Sequence, residues 1–489
     1  MKALPAIATK TRGGRLLTVG ILGVLSLCLS ARVSLAATPG AGKGLPDELG
    51  TFNVGHTAFR IVGKGTLGEN RPIDIDVWYP ADQRSWDHAS ASVYTSRLYG
   101  VPLVPSKWDP LSWAVVSDVS KDEAEFDKHG PFPVVIFSHG SQNSPYEYAL
   151  TIEYVASHGY VVAAAWYNGD TQDDVRVQFI NTTNGSKVLS CLDNLPSPCV
   201  DTAAKNIADR ARDLSAVLNV LPTVFGDNVN MDEVVAMGHS RGTVTSLGAA
   251  SGSTFFNFPA EPRVKAVLGF ANGAPALTFN LNLAAITVPT VLVAGDLDKA
   301  SPEAISETAF TTISSQDKVL IEIKNTMHRH FATGFCPEMQ ASAAIVMANP
   351  TRAILDRHTL TGILTSPVNG NAVDICGFGY FSNPVDIRPL VFSLTGYSVT
   401  ETNVPTTSID TLEIRRLMSE IAVTFFDSVI KALRHEDQPC NDSVCSNARF
   451  NRYLSDKFLL KKESEISTAI IVTDEEMQRQ LDCSDDCGD

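Results

Sequence analysis

The run Gly238-His239-Ser240-Arg241-Gly242 sets one serine midway between two glycines. A serine hydroxyl is a weak nucleophile at neutral pH, so covalent acyl chemistry there needs a base, and the base needs an orienting acid. The pattern gains weight from its setting. It follows the short apolar run Val234 to Met237 and opens a helical segment at Arg241. In a strand-to-helix turn of this kind the glycines allow a sharp bend, which pushes the serine out near the helix N-terminus. The alternative use of the same residues is a glycine-lined turn with a helix-capping serine.

In such an arrangement the acid and the histidine follow the serine in chain order. The histidines downstream are His328, His330, His358 and His435. His328 and His330 lie just past the apolar run Val319 to Ile323, where a loop would face Ser240, and His328 is the chosen base. His330 is expected to be a solvated or hydrogen-bonded loop residue, and the His-x-His pair has no nearby carboxylate or cysteine to complete a metal site. The acid should end the run Thr290 to Ala294, where Asp296 and Asp298 both qualify. Loop aspartates often serve as caps or turn residues. Asp298, just before the helix expected at Pro302, is preferred. A tetrahedral intermediate also needs two preorganised N–H donors. The backbones of Arg241, directly after the nucleophile, and of Ser141, in Ser138-His139-Gly140-Ser141, are assigned to them. His139 precedes Ser240 and is expected to be structural. No metal or organic cofactor is needed for this chemistry.

These residues must be held by an alternation of strands and helices. Val134 to Phe137, Val161 to Trp166, Val234 to Met237, Val264 to Phe270, Thr290 to Ala294 and Val319 to Ile323 are short apolar runs, the mark of strands buried on both faces. Helices are expected at Tyr146 to Ser157, Asp201 to Leu221, from Arg241, at Pro302 to Ile313, and at Thr411 to Leu433. Alternation of this kind predicts an α/β fold, a mainly parallel sheet with helices on both faces and chemistry at the carboxyl ends of the strands. Ile73 to Tyr79 alternates apolar and acidic residues and is expected as a half-buried strand. The stretch from there to Gly130 reads as loop-rich. Residues 336–407 break the rhythm and are expected as an insertion or lid before the last core helix. The catalytic domain then spans 45–435, with 436–489 as an acidic, cysteine-bearing appendage.

The first 36 residues read as an export signal, with a basic start, an apolar core from Leu16 to Ser30 and a small-x-small site at Ser34-Leu35-Ala36. The expected location is therefore exported, periplasmic or secreted, with no stable membrane insertion once the signal is removed. The formal charge of −15 becomes −20 without that segment. Such a field argues against nucleic acid and anionic lipid surfaces as partners. Eight cysteines then remain, read as disulfides by proximity: Cys191 with Cys199, Cys336 with Cys376, Cys440 with Cys445, Cys483 with Cys487.

Taken together, the elbow and Ser138-His139-Gly140-Ser141 resemble the platelet-activating-factor-acetylhydrolase and dienelactone-hydrolase-like branch of the bacterial α/β hydrolases. So do Ala156-Ser157-His158-Gly159-Tyr160-Val161-Val162, the Asp-x-x-x-Pro from Asp298 to Pro302, and Asn325-Thr326-Met327-His328-Arg329-His330-Phe331. Val77-Trp78-Tyr79-Pro80 and Ala208-Asp209-Arg210 fit the same branch. Polyester hydrolases and cutinases are similar in these segments. The resemblance implies the α/β-hydrolase fold, a triad of Ser240, Asp298 and His328, and Ser141 and Arg241 as oxyanion donors. It implies a serine esterase acting on a small-molecule or lipid-like ester. Two departures point away from a broad polymer-binding cleft and towards a smaller, partly lidded acyl site for short- to medium-chain esters. Arg241 stands where polyester hydrolases carry an apolar residue, and residues 336–407 exceed anything in a compact cutinase. The rival readings are a lipase or polyester depolymerase and, from another class, a catalytically inactive hydrolase fold used for binding.

Overall fold

A computed structural model describes residues 49–95, 97–98, 101–102, 114–171, 197–332, 364–366, 371–372, 411–433 and 469–472, apart from 142, 169, 274, 299–300 and 327. The described residues fall in the unit Lys43–Asp489. The expected export signal, most of residues 336–407 and the side chains of all eight cysteines read as disulfides lie outside them.

The strands of the main sheet are β1 (Asn53–Lys64), β2 (Asn70–Ala81), β3 (Ala91–Thr95), β4 (Ala114–Asp122), β5 (Phe132–Ser138), β6 (Val161–Trp166), β7 (Val229–His239), β8 (Val264–Phe270), β9 (Thr290–Gly295), β10 (Lys318–Ile323) and β11 (Ala469–Val472). They form one eleven-stranded sheet in the order β11-β10-β9-β8-β7-β5-β6-β2-β1-β4-β3. From β6 to β10 all neighbours run parallel. The longer helices among the described residues are α1 (Gln83–His88), α2 (Ala149–Ser157), α3 (Ser197–Phe225), α4 (Arg241–Ser251), α5 (Glu303–Thr312) and α6 (Thr411–Leu433).

Each face of the sheet carries its own core. On one, α2 and α6 bury Ile152, Val155, Ile421 and Phe425 against Val135, Val235, Leu268 and Val291. On the other, α3 offers Ile207, Leu214, Leu218 and Leu221, the repeat of a helix with one apolar stripe. β5, β6 and β9 are buried along their whole length, which is why they read as unbroken apolar runs.

Two expectations need correction. β2 is buried on both faces from Ile73 onward, not half-buried. Its aspartates are satisfied inside: Asp74 by Arg60, and Asp76 by His56, Tyr146 and Trp166. Among the described residues, the segment before Gly130 is not mainly loop, since β3 and β4 extend the sheet past β1. Polar residues interrupt these strands and Val93 and Val116 face solvent at the edge, which blurs their pattern. β1, whose residues alternate towards water over its second half, carries too weak an apolar signal to be read in sequence. Within the tail beyond residue 436, β11 pairs antiparallel with β10 and closes that edge.

Candidate active site

The sheet order reverses between β5 and β7: the chain leaves β5 towards β6 on one side and returns through α3 to β7 on the other. Crevices open at the carboxyl ends of strands at such a switch point. Here Ser138 pairs with Gly238, so the loop after β5 and the turn after β7 stand side by side. Steric limits force the glycines. A Cβ on Gly238 would lie 2.3 Å from the Gly242 carbonyl carbon, and one on Gly242 only 1.8 Å from Ser138 O. Between them Ser240 takes φ 57°, ψ −121°, a region that costs an L-residue roughly 1–3 kcal/mol and persists only where its surroundings enforce it. Its N–H is held by Phe270 O at 2.9 Å, and α4 begins at the next residue.

The structure brings Ser240, His328 and Asp298 together. His328 Nε2 lies 2.9 Å from Ser240 Oγ, and His328 Nδ1 lies 2.7 Å from Asp298 Oδ2. An ionised carboxylate can only accept, so Nδ1 carries the proton and Nε2 is free to take the one on Ser240. The other oxygen of Asp298 accepts from Ser301 N at 2.7 Å, which fixes the carboxylate. The Asp298 side chain is fully buried. Asp296 is exposed and instead accepts from Thr326 N, a turn role. His330 is buried rather than solvated, and burial pushes its pKa down to about 4, so it stays neutral. His358 and His435 lie outside the described residues.

His139 is structural in its bonding. Its Nδ1 donates to Gly140 O at 2.7 Å and its Nε2 accepts from Tyr167 N at 3.2 Å. Burial, then the nearby Arg210 charge, pushes its pKa down to about 3. In the same loop Gly140 N donates to Tyr148 OH. Tyr148 OH also bonds His239 Nδ1 at 2.6 Å, while His239 Nε2 donates to His328 O at 3.1 Å. The Gly140 N–H is thus already used, which leaves the Ser141 and Arg241 N–H groups as the candidates for an oxyanion. His239, a placeholder in the motif, connects the loop to the backbone of His328.

One group had no place in the sequence reading. Asp170, four residues past β6, accepts from Ser141 Oγ at 2.9 Å, from Arg210 Nη2 and Nε at 2.6 and 3.1 Å, and from Arg241 Nη1 at 3.0 Å. Burial alone would raise its pKa, but Arg241 and Arg210 outweigh that and hold it at about 2. The available signal was a carboxylate just beyond the carboxyl end of a parallel strand. Among the described residues no group of three or more His, Cys, Asp or Glu side chains is arranged to hold a metal ion. No helix among them is long and apolar enough to cross a membrane.

A family model described as Chlorophyllase matches residues 124–183, a stretch that includes the Ser138–Ser141 loop and Asp170. Cutinase est1 of Thermobifida alba is 32% identical over 127 residues, 24% of this chain and 38% of the cutinase. The chain thus spans under two fifths of the length of the curated relative it matches. A ferulic acid esterase from Streptomyces cinnamoneus is similar at 18% identity, with a TM-score of 0.46 over 83% of this chain and 98% of that one. Alongside these likenesses stand the strand order with its parallel core, the elbow after β7 and the residues placed around it.

Proposed function

We propose that this chain, a member of the α/β-hydrolase superfamily, is an exported serine carboxylic-ester hydrolase acting on short- to medium-chain esters. The observation that carries the reading is the unbroken relay Ser240 Oγ, His328 Nε2, His328 Nδ1, Asp298 Oδ2, with links of 2.9 and 2.7 Å. His328 takes the proton as Ser240 attacks the ester carbonyl. The N–H groups of Ser141 and Arg241 hold the oxyanion, and Asp298 steadies the imidazolium. His328 then protonates the departing alcohol, and water activated by the same histidine releases the acid. The basic, apolar, small-residue pattern of the first 36 positions supports export.

Initial rates on p-nitrophenyl esters from acetate to palmitate test this, with Ser240→Ala as control. The expected result is a maximum at short chains and a loss on the order of 10⁴-fold in the variant. Near-normal turnover in Ser240→Ala sinks the assignment. The likeness to a cutinase favours one second reading, attack on polyesters. Against it stands Arg241, a charged and mostly buried side chain tied to Asp170 beside the nucleophile. Release of soluble acid from a polyester film, at a rate rivalling that on p-nitrophenyl butyrate, would favour the second reading.

A further inference from the structure

We infer that Asp170 is the positioning residue of the oxyanion hole, clamping its two halves into register; this rests on the roles given above to Ser141 and Arg241. The two donors come from separate segments, the loop after β5 and the start of α4, and no covalent link sets their spacing. Donor geometry at a developing oxyanion tolerates little error. Asp170 bonds the side chains of both donor residues at once: Oδ1 takes Ser141 Oγ, and Oδ2 takes Arg241 Nη1.

Arg210 completes the clamp from behind. It is fully buried, bonds Asp170 Oδ2 twice, and donates to His139 O at 2.7 Å and Gly140 O at 3.4 Å. Its guanidinium lies 4.2 Å from the centroid of the Tyr167 ring, whose hydroxyl bonds Ser138 Oγ at 2.7 Å. Each residue from Ser138 to Ser141 is therefore held by this cluster. One carboxylate also separates two guanidinium groups. Without its charge, Arg210 and Arg241 repel each other and pull the loop from the elbow. Asp170 bonds neither Ser240, His328 nor Asp298 among the contacts described, so its influence runs through the donors.

The test uses the full chain and p-nitrophenyl butyrate, with active sites counted from the p-nitrophenol burst. Asp170→Asn is expected to lower kcat per titrated site on the order of 10²-fold, with KM within about twofold. Binding of an aryl trifluoromethyl ketone, whose Ser240 adduct places an oxyanion in the hole, should weaken in proportion. The acid limb of the pH–rate profile should not move. If Asp170→Asn does not fold, Ser141→Ala and Arg241→Leu each cut one arm while leaving Arg210 paired. Each is then expected to lose about tenfold in kcat with the same ketone signature. The inference is overturned if kcat per titrated site stays within about twofold of the parent in these variants, or if activity only falls in step with titratable sites. Ester turnover that survives Ser240→Ala overturns the Ser240 nucleophile and this inference together. Ser240-dependent turnover that ignores Asp170 overturns this one alone.

Discussion

Asp296 and Asp298 are two residues apart at the end of one strand, yet their surroundings give them different work. Asp298 is buried with both oxygens engaged, one by Ser301 N and one by His328. Asp296 is exposed and braces the turn at Thr326. Replacing Asp298 by Asn keeps the shape but offers Nδ1 of His328 a donor or a weaker acceptor, which favours the wrong tautomer. Asp298→Asn is therefore expected to lower kcat on the order of 10⁴-fold, and Asp296→Asn to leave it within about threefold. Steady-state kinetics on one p-nitrophenyl ester decides between them. Equal losses in both would mean that the acid has been misassigned.

Among the elements, the join of β1, β2 and β4 is organised around a charge. His56 on β1 puts Nε2 2.8 Å from Asp76 of β2 and Nδ1 2.8 Å from Asp122 of β4. Burial alone would lower its pKa, but the two hydrogen-bonded carboxylates outweigh this and raise it to about 9. The folded pKa thus exceeds the unfolded value near 6.5. The stabilisation is complete below pH 6.5, declines between 6.5 and 9, and is lost above that. It amounts to a few kcal/mol at most, on the order of 1.4 kcal/mol per pKa unit. Urea unfolding should show stability falling from pH 6.5 to 9.5, and His56→Gln should flatten that slope. A parent slope that His56→Gln leaves unchanged would place the titrating group elsewhere.

At the scale of the whole molecule, α6 returns after a long stretch of chain to cover the face of the sheet that carries α2. Phe426 is fully buried there, with Tyr160 at 5.6 Å between ring centroids, and Tyr160 OH bonds Asp427 at 2.6 Å. The same core holds Phe331, three residues beyond His328. Phe426→Ala is expected to cost about 3–5 kcal/mol through lost burial and the cavity left behind. Thermal unfolding with ester turnover measured below the transition checks it. A loss under about 1 kcal/mol would mean that α6 is not an integral part of this core.

Much was legible in the chain because chemistry and periodicity are local properties. The glycines around Ser240 are dictated by contacts within one turn, and buried parallel strands show as apolar runs whatever their neighbours. The choice of His328 rested on order along the chain and on the strand before it, and the structure sets that side chain 2.9 Å from Ser240 Oγ. What stayed hidden depends on pairing across long separations. β1, β3 and β4 lie at or near a sheet edge, where solvent-facing residues dilute the pattern. Asp74 and Asp76 read as solvent-facing because only folding brings Arg60 and His56 to them. For Asp170 the sequence offers only its place just past a parallel strand, since its partners Ser141, Arg210 and Arg241 come from three other segments. A carboxylate has no recognisable spacing to groups it meets only in three dimensions. Its role is set by the tertiary structure, because the balance of burial against two guanidinium charges exists only there.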